Sequence, residues 1–428
     1  MKRKKNRNKN IYQRIGYTIL LVFIARLLTN IPIIGANKEV LKSLFKDNEI
    51  YNLFDMFSGG GLSNLSMFAL SISPYISASI IMQLLGTMFS KIEEIQQEGE
   101  TGRKKIEKYT TVLAIIMAIA SSIAITKQFV YMGVLKDSSI YKIAAVISLI
   151  AGTGILIFIG KKITDNGIGN GVSLILTANI LSQIPKDMMI IYSKLVLPSE
   201  NKVLIGAVVV AVMFLIIFMT VKLHETVRRV PLVYSGKLKG RKFIDGDSAS
   251  LPIKLSPGGV TPVIFTTTLM AFPAMIIGLL NLDGKKISWL AEAFRTQNWF
   301  DPNNIKMSVG FLVYVILMIV FSYMYSEIAL NTKEIANTLK NQHATIPNVR
   351  PGKETEKYLN NIVKGTTLLG AISLILLCLI PMILTAVLKV HVGFGGTSVI
   401  IVVSVLAEIA SQAKIELEAE RYNNFIFQ

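Results

Sequence analysis

Residues 57–85 read FSGGGLSNLSMFALSISPYISASIIMQLL, and this stretch decides the fold because its two parts suit different surroundings. From Phe57 to Ser66 it is rich in Gly and Ser, a poor helix former that reads as a short mobile segment. From Met67 onward it is long and apolar enough to cross a bilayer, which takes about 20 mostly apolar residues. Yet this span carries Ser71, Ser73, Pro74, Ser77 and Ser79, a face that lipid would not accept. Small and hydroxylated side chains suit close helix packing or a wet cavity, where the backbone groups freed around Pro74 find partners. The stretch therefore predicts a membrane helix turned toward other protein, preceded by a short segment of different character.

Similar apolar runs recur on either side. Ten candidate spans lie at about 15–34, 67–89, 109–131, 141–160, 172–184, 203–222, 260–280, 307–328, 365–388 and 393–412. The run VLIGAVVVAVMFLIIFM from Val203 to Met219 is apolar all round, so water is not its solvent. In the 428-residue chain 52% of residues are hydrophobic and 17% charged, against about 25% charged in soluble domains, which excludes an ordinary soluble enzyme and a disordered chain. The single Cys378 excludes a disulfide framework and a multi-Cys metal site, and three His (His224, His343 and His391) leave little for a zinc centre. No metal and no cofactor is expected. The first run follows a basic N-terminus and resembles a signal peptide, but no small-x-small cleavage site follows and Arg26 interrupts it, so it is read as a mature helix.

A net charge of +18 leaves one rival, a basic nucleic-acid binder. The distribution of charge removes it. With the N-terminus placed in the cytoplasm and the spans alternating, 30 of the 45 Lys and Arg fall in inside segments and 14 in outside segments. The excess is the positive-inside pattern of a multi-pass membrane protein with both termini inside. Its organisation reads as a basic N-terminus (1–14), a half of five helices (15–184), an external linker (185–202), a second half of five (203–412) with inside loops at 223–259 and 329–364, and an inside tail (413–428).

Spans two and seven occupy equivalent places in the two sets of five. The seventh opens on Ser256-Pro-Gly-Gly-Val-Thr-Pro262 and carries Thr266 to Thr268 and Pro273, much as the second opens on Gly and Ser. Five helices per half makes the second half cross in the opposite sense, so the pattern predicts an inverted repeat. A secondary transporter would share that architecture, but it wants ionisable groups near mid-membrane. Only Arg26, with Glu327, Lys389 and Glu408 toward span ends, is available. An intramembrane enzyme is also disfavoured: no HExxH motif occurs, and the GIGNG stretch at Gly167–Gly171 lacks the Lys of a P-loop and reads as a turn before the fifth span.

The 57–85 stretch closely resembles the signature of the SecY/Sec61-alpha family of protein-conducting channels. Further similar motifs are EGETGRKKI at 98–106, GIGNG at 167–171, Gly240-Arg-Lys242, GVTPVIF at 259–265, IPNVRPG at 346–352 and GGTS at 395–398. They occur in family order from residue 57 to near 400. The chain departs from the family pattern at Pro231-Leu-Val-Tyr-Ser-Gly-Lys237, and at Asn179, where Gly is usual. Those departures leave room for an accessory, substrate-dedicated paralogue.

The resemblance implies ten transmembrane helices in two inverted halves around an hourglass pore, an all-α architecture. It implies a plug formed by Phe57, Ser58, Gly59, Gly60, Gly61, Leu62, Ser63, Asn64, Leu65, Ser66 and Met67. It implies a pore ring of Ile72 and Ile76 on the second span, Leu176 and Ile180 on the fifth, Ile264 on the seventh and Ile401 on the tenth. In both pairs on a shared span the residues are four apart, so each pair lies on one helix face. A lateral gate toward lipid is expected between helices two and three and helices seven and eight, with Ser79, Gln83, Thr266 and Thr267 along it. Lys237, Lys239, Arg241 and Lys242 in one inside loop, and Arg350 in the next, are the expected contacts for the SecA ATPase or the ribosome. The remaining implied partners are SecE, SecG, signal-bearing preproteins and membrane lipid. The chain is expected to be a channel in the bacterial cytoplasmic membrane and not an enzyme.

Overall fold

In the computed structural model the described residues are 11–35, 55, 58–193, 202–234, 237–239, 242–244, 248–279, 299, 308–388 and 396–426. Each of the ten predicted runs meets a helix: α1 (Ile11–Leu28), α2 (Ser73–Met88), α4 (Glu100–Tyr131), α5 (Ser139–Asn166), α6 (Gly171–Ile191), α7 (Lys202–Glu225), α8 (Thr261–Leu279), α9 (Val309–Ala329), α11 (Lys353–Leu388) and α12 (Gly396–Ile426). Two short helices, α3 (Ser90–Gln97) and α10 (Thr332–Asn341), join them. Among the described residues seven helices are long and apolar enough to cross a membrane, or eight if α2 and α3 are one broken span.

Helical form follows from the solvent. Hydrocarbon offers no partner to a backbone N–H or C=O, so a span must satisfy both within itself. The large side chains that point away from protein are accordingly apolar: Ile19, Leu20 and Phe23 on α1, and Leu204, Val210 and Phe214 on α7. Boundaries differ from those read in the sequence where charged or polar residues extend a helix beyond its apolar part. α1 begins at Ile11 rather than near residue 15, and α12 continues to Ile426, through most of the segment read as a tail. In lipid or at its edge a started helix continues, because each added residue contributes a hydrogen bond without a new nucleus.

The chain turns sharply after α2. Phe89 is extended, and the following helix leaves at 109°. On the other side of α4, Ser139–Asn166 leads through the Gly-rich turn to α6, whose first turn is capped by Asn170, its side-chain oxygen accepting from Val172 N at 3.1 Å. The GIGNG stretch is thus a turn and cap, a use that Asn and Gly serve well.

One apolar core runs through the helices, drawing Ile76 and Ile80 from α2, Leu156 and Ile163 from α5, Ile175 and Ile180 from α6, Val263 and Phe265 from α8, Met318 and Phe321 from α9, Leu374 from α11 and Ile400 from α12. A second cluster joins Ile33, Leu62, Leu65 and Leu70 to Phe129 of α4 and Leu149 of α5.

The two long loops, at 223–259 and 329–364, add structure that the all-α expectation did not include. β1 (Val227–Tyr234) pairs antiparallel with β4 (Ser248–Lys254), in register from Val227↔Lys254 to Val233↔Ser248. Its other edge pairs with β5 (Ala344–Thr345), which belongs to the second of these loops. Between β1 and β4 lies a small hairpin, β2 (Lys237–Lys239) with β3 (Lys242–Ile244). Val230, Leu232 and Ile253 of the sheet pack on Leu339 of α10 and on Leu359, Ile362 and Val363 of α11. Two loops separated by two spans therefore share one hydrophobic core.

Candidate functional site

The six expected ring residues lie on or immediately before α2, α6, α8 and α12. Ile72, Ile76, Leu176, Ile180, Ile264 and Ile401 are all buried, none more than 8% exposed, and all belong to the one large apolar cluster. They come from sequence positions more than 300 residues apart, so only the tertiary structure could assemble them. Ile72 immediately precedes α2, in a run of tight turns that begins at Ser58.

That run is the described part of the Gly/Ser segment. Phe57 lies outside the described residues, and the rest, Ser58 to Met67, is mostly buried, with Asn64 exposed. It is held at both ends. Ser66 bridges Pro32, Ile33 N donates to Leu65 O at 2.7 Å, and Met67 N donates to Ile31 O at 3.0 Å, so the strand-like exit from α1 clasps the end of the segment. Leu62 and Leu65 fill the second apolar cluster.

The start of the segment sits on polar groups. Asp55 is buried; Ser63 N donates to its Oδ1 at 2.8 Å and Gln183 Nε2 to its Oδ2 at 3.3 Å. Ser58 Oγ donates to the Asp55 carbonyl at 3.0 Å and accepts from Leu62 N at 3.0 Å, which fixes the first turn. Gly59 has a φ of +66°, and a Cβ there would lie 2.6 Å from Arg26 Nη1, 2.8 Å from Asn179 Oδ1 and 2.9 Å from Asn179 Cα. Both the backbone conformation and the space demand glycine. Asn179, the departure noted on the fifth span, is buried and donates through Nδ2 to Ser71 Oγ at 2.9 Å. A side chain replaces hydrogen there, and glycine on the facing segment makes the room.

Sequence reasoning passed over Asp55, Asn179 as a contact, and Gln183. Asn179 and Gln183 are four apart on α6 and adjoin the Leu176–Ile180 pair, which was a usable signal. Asp55 carried none, because its side-chain partner on α6 is 128 residues away.

Where α2 and α8 meet, Ser79 Oγ accepts from Gln83 Nε2 at 3.2 Å, within one helix. Thr266 and Thr267 donate to the carbonyls of Pro262 and Val263, each on their own helix. A residue not foreseen, Tyr325 of α9, brings its hydroxyl near the side chains of Thr261 on α8 and Gln83 on α2. Phe265 packs edge-on against Tyr325 and Phe321, with ring centroids 5.7 and 5.9 Å away. Hydroxyls satisfied along their own helix leave a seam held mainly by apolar contact.

Lys237 and Lys239 lie on β2 and Lys242 on β3, with Lys239 and Lys242 paired across the hairpin. Arg241 lies outside the described residues. Arg350 is exposed on the turn before α11, and its carbonyl accepts from Thr355 Oγ1 at 2.8 Å. Among the described residues no cluster of His, Cys, Asp and Glu could hold a metal ion.

Comparison with known proteins identifies the family and the fold. The SecY family model matches residues 66–410. The protein translocase subunit SecY of Halalkalibacterium halodurans is 33% identical over 428 residues, covering 97% of this chain and 97% of that protein. The subunit of the same name from Escherichia coli K12 is 33% identical, covering 96% of this chain and 93% of its own. A solved protein-conducting channel superposes with a TM-score of 0.68 at 20% identity, covering 96% of this chain and 94% of that one. Sec61 from the canine ribosome–channel complex of the endoplasmic reticulum gives 0.63 at 19% identity, with 96% and 94% covered.

Proposed function

The chain belongs to the SecY family, a multi-pass membrane protein of ten spans in two inverted halves, and on that premise we propose that it conducts unfolded secretory polypeptides through a pore between its halves. The observation that supports the reading is that all six expected ring side chains are buried aliphatics within the one large apolar core. A narrow apolar ring expels water and so blocks ions, while the same side chains can close around a passing chain without recognising its sequence. The buried segment Ser58–Met67 is the plug: Met67 packs against the large apolar core, Leu62 and Leu65 fill the second cluster, and its tight turns are held by short-range hydrogen bonds.

The seam between α2 and α8 is the lateral gate, with Ser79, Gln83, Thr266 and Thr267 along it and Tyr325 as its polar bridge. Opening sideways lets hydrophobicity decide which segments stay in the membrane. Each central Leu or Ile favours lipid by about 0.3–0.6 kcal/mol, and each central Asp, Lys or Arg opposes it by about 2.5–3.5 kcal/mol. A segment with a dozen Leu-like residues thus gains roughly 4–7 kcal/mol, and two charges are enough to cancel it.

The work of transport comes from outside the chain, from SecA or the ribosome. Lys237, Lys239, Arg241 and Lys242 at the tip of the first loop and Arg350 on the second form the docking surface, a basic face suited to ribosomal RNA phosphate or to the motor. The shared sheet explains why two loops act as one platform: β1 pairs with strands from both. SecE and SecG are the small membrane partners, and the location is the bacterial cytoplasmic membrane with both termini inside. The test is reconstitution with SecA, ATP and a signal-bearing preprotein. A protease-protected product supports the channel, and Arg350→Glu is expected to abolish most of it; small-solute uptake without protected product would overturn the reading.

A further inference from the structure

Arg26 is the ionisable residue inside the first span that a channel wall does not require, and the structure supplies it with a purpose. It lies in the last turn of α1, donates through Nη1 to Thr29 Oγ1 at 2.9 Å, and brings that nitrogen to 2.6 Å from the position a Cβ would take on Gly59, where its charge acts on Asp55. Asp55 precedes the plug, is buried, and accepts from the plug backbone at Ser63 and from Gln183 on α6. A second cation approaches the same place: Lys186 Nζ lies 3.6 Å from the position a Cβ would take on Gly60. A buried carboxylate is costly unless it is both hydrogen-bonded and paired with positive charge. Here the backbone amide comes from the plug itself, while the carboxamide and the guanidinium come from two helices that frame it.

We infer that Asp55 is a latch residue, whose carboxylate ties the plug to α1 and α6 and thereby sets how readily the resting channel opens. The inference rests on the plug reading above. Moving the segment separates the carboxylate from Ser63 N, or drags it away from Gln183 and Arg26. Either motion strands a charged group away from its partners, so the latch resists small displacements and releases as a unit. A plug held only by Leu62 and Leu65 would instead slide over a range of positions.

The experiment is ion leak through the full-length channel complex reconstituted in liposomes, read by quenching of an entrapped anion-sensitive dye without SecA or preprotein. Four changes are compared with the parent: deletion of residues 58–66, Asp55→Asn, Arg26→Gln, and the last two together. Asp55→Asn keeps the side-chain shape and one acceptor oxygen, so the variant is expected to fold; its thermal melting in detergent checks that. The deletion is expected to leak most, Asp55→Asn and Arg26→Gln each several-fold above the parent, and the double variant no more than the larger single. That failure to add identifies one shared interaction. A leaking deletion beside a tight Asp55→Asn overturns the latch alone. A deletion that does not leak overturns the plug reading and the latch with it. Additive leaks from Asp55→Asn and Arg26→Gln also overturn the latch, since two independent packing defects would then account for them. Gln183→Leu, which leaves both charges in place, is expected to leak less than Asp55→Asn; an equal or larger leak would assign the hold to the carboxamide instead.

Discussion

Leu176 and Ile180 on α6 join the apolar cluster with Ile72, Ile76, Ile264 and Ile401, while on the same helix Asn179 and Gln183 reach Ser71 and Asp55. The two sets interleave within three helical turns and hold their surroundings by different physics. Aliphatic contact has no direction, so a ring of such side chains can widen and reclose around any polypeptide at small cost per step. Hydrogen bonds to a buried carboxylate have fixed lengths and angles, and half-breaking them leaves unpaired polar groups. One layer suits a seal that must tolerate every client; the other suits a part with two positions.

Four tests by substitution break or sharpen that contrast. The largest effect is expected from Ile76→Ser with Ile180→Ser, which removes aliphatic volume from the ring and leaves the polar seat intact. Each change costs about 2–5 kcal/mol as a large-to-small core substitution, and resting ion leak should rise strongly; unchanged leak would remove these residues from the ring. Leu232→Ala is the control in the other hydrophobic core. It should destabilise the loop platform by about 2–5 kcal/mol, seen as faster protease cleavage between β1 and β4 with no change in leak.

Gly59→Ala tests the seat. A non-glycine residue held at positive φ costs about 1–2 kcal/mol, and its Cβ would press on Arg26 and Asn179. Melting temperature should fall slightly and resting leak should rise, while the Asn179→Gly partner change should restore part of both. The smallest effect belongs to Tyr325→Phe, which deletes one hydroxyl from the α2–α8 seam and costs about 0.5–1.5 kcal/mol. On the gate reading, losing that polar contact eases opening, so a preprotein with a weakened signal segment should be translocated better by Tyr325→Phe, measured as protease-protected product. Poorer translocation would place the hydroxyl in the open state.

The contrast also explains which parts could be read from the sequence. Span positions were legible because hydrocarbon imposes one rule on every residue of a run, and the run from Val203 to Met219 obeys it without exception. The ring residues were named from a family likeness, and nothing in Ile264 or Ile401 alone separates them from ordinary core. The loop sheet was missed because β5 is only two residues long, Ala344–Thr345, and is a strand only by virtue of Val233 and Tyr234 beside it. Asn179 drew attention as a departure, but its fit to Gly59 required both chains of atoms to be seen together.

What the sequence by itself determined is the solvent of each segment: which stretches lie in lipid, how unevenly the positive charge divides between alternate loops, and where Gly, Ser and Pro forbid a simple lipid-facing rod. These are local or summed properties, because transfer into hydrocarbon and attraction to an inner face depend on composition along the chain. The tertiary structure decided which residues meet: six aliphatic side chains in one cluster, two loops in one sheet, and Asp55 with Ser63, Gln183 and Arg26. Those meetings join residues far apart in sequence, and the packing geometry that selects them among many equally apolar or polar candidates exists only once the helices have crossed.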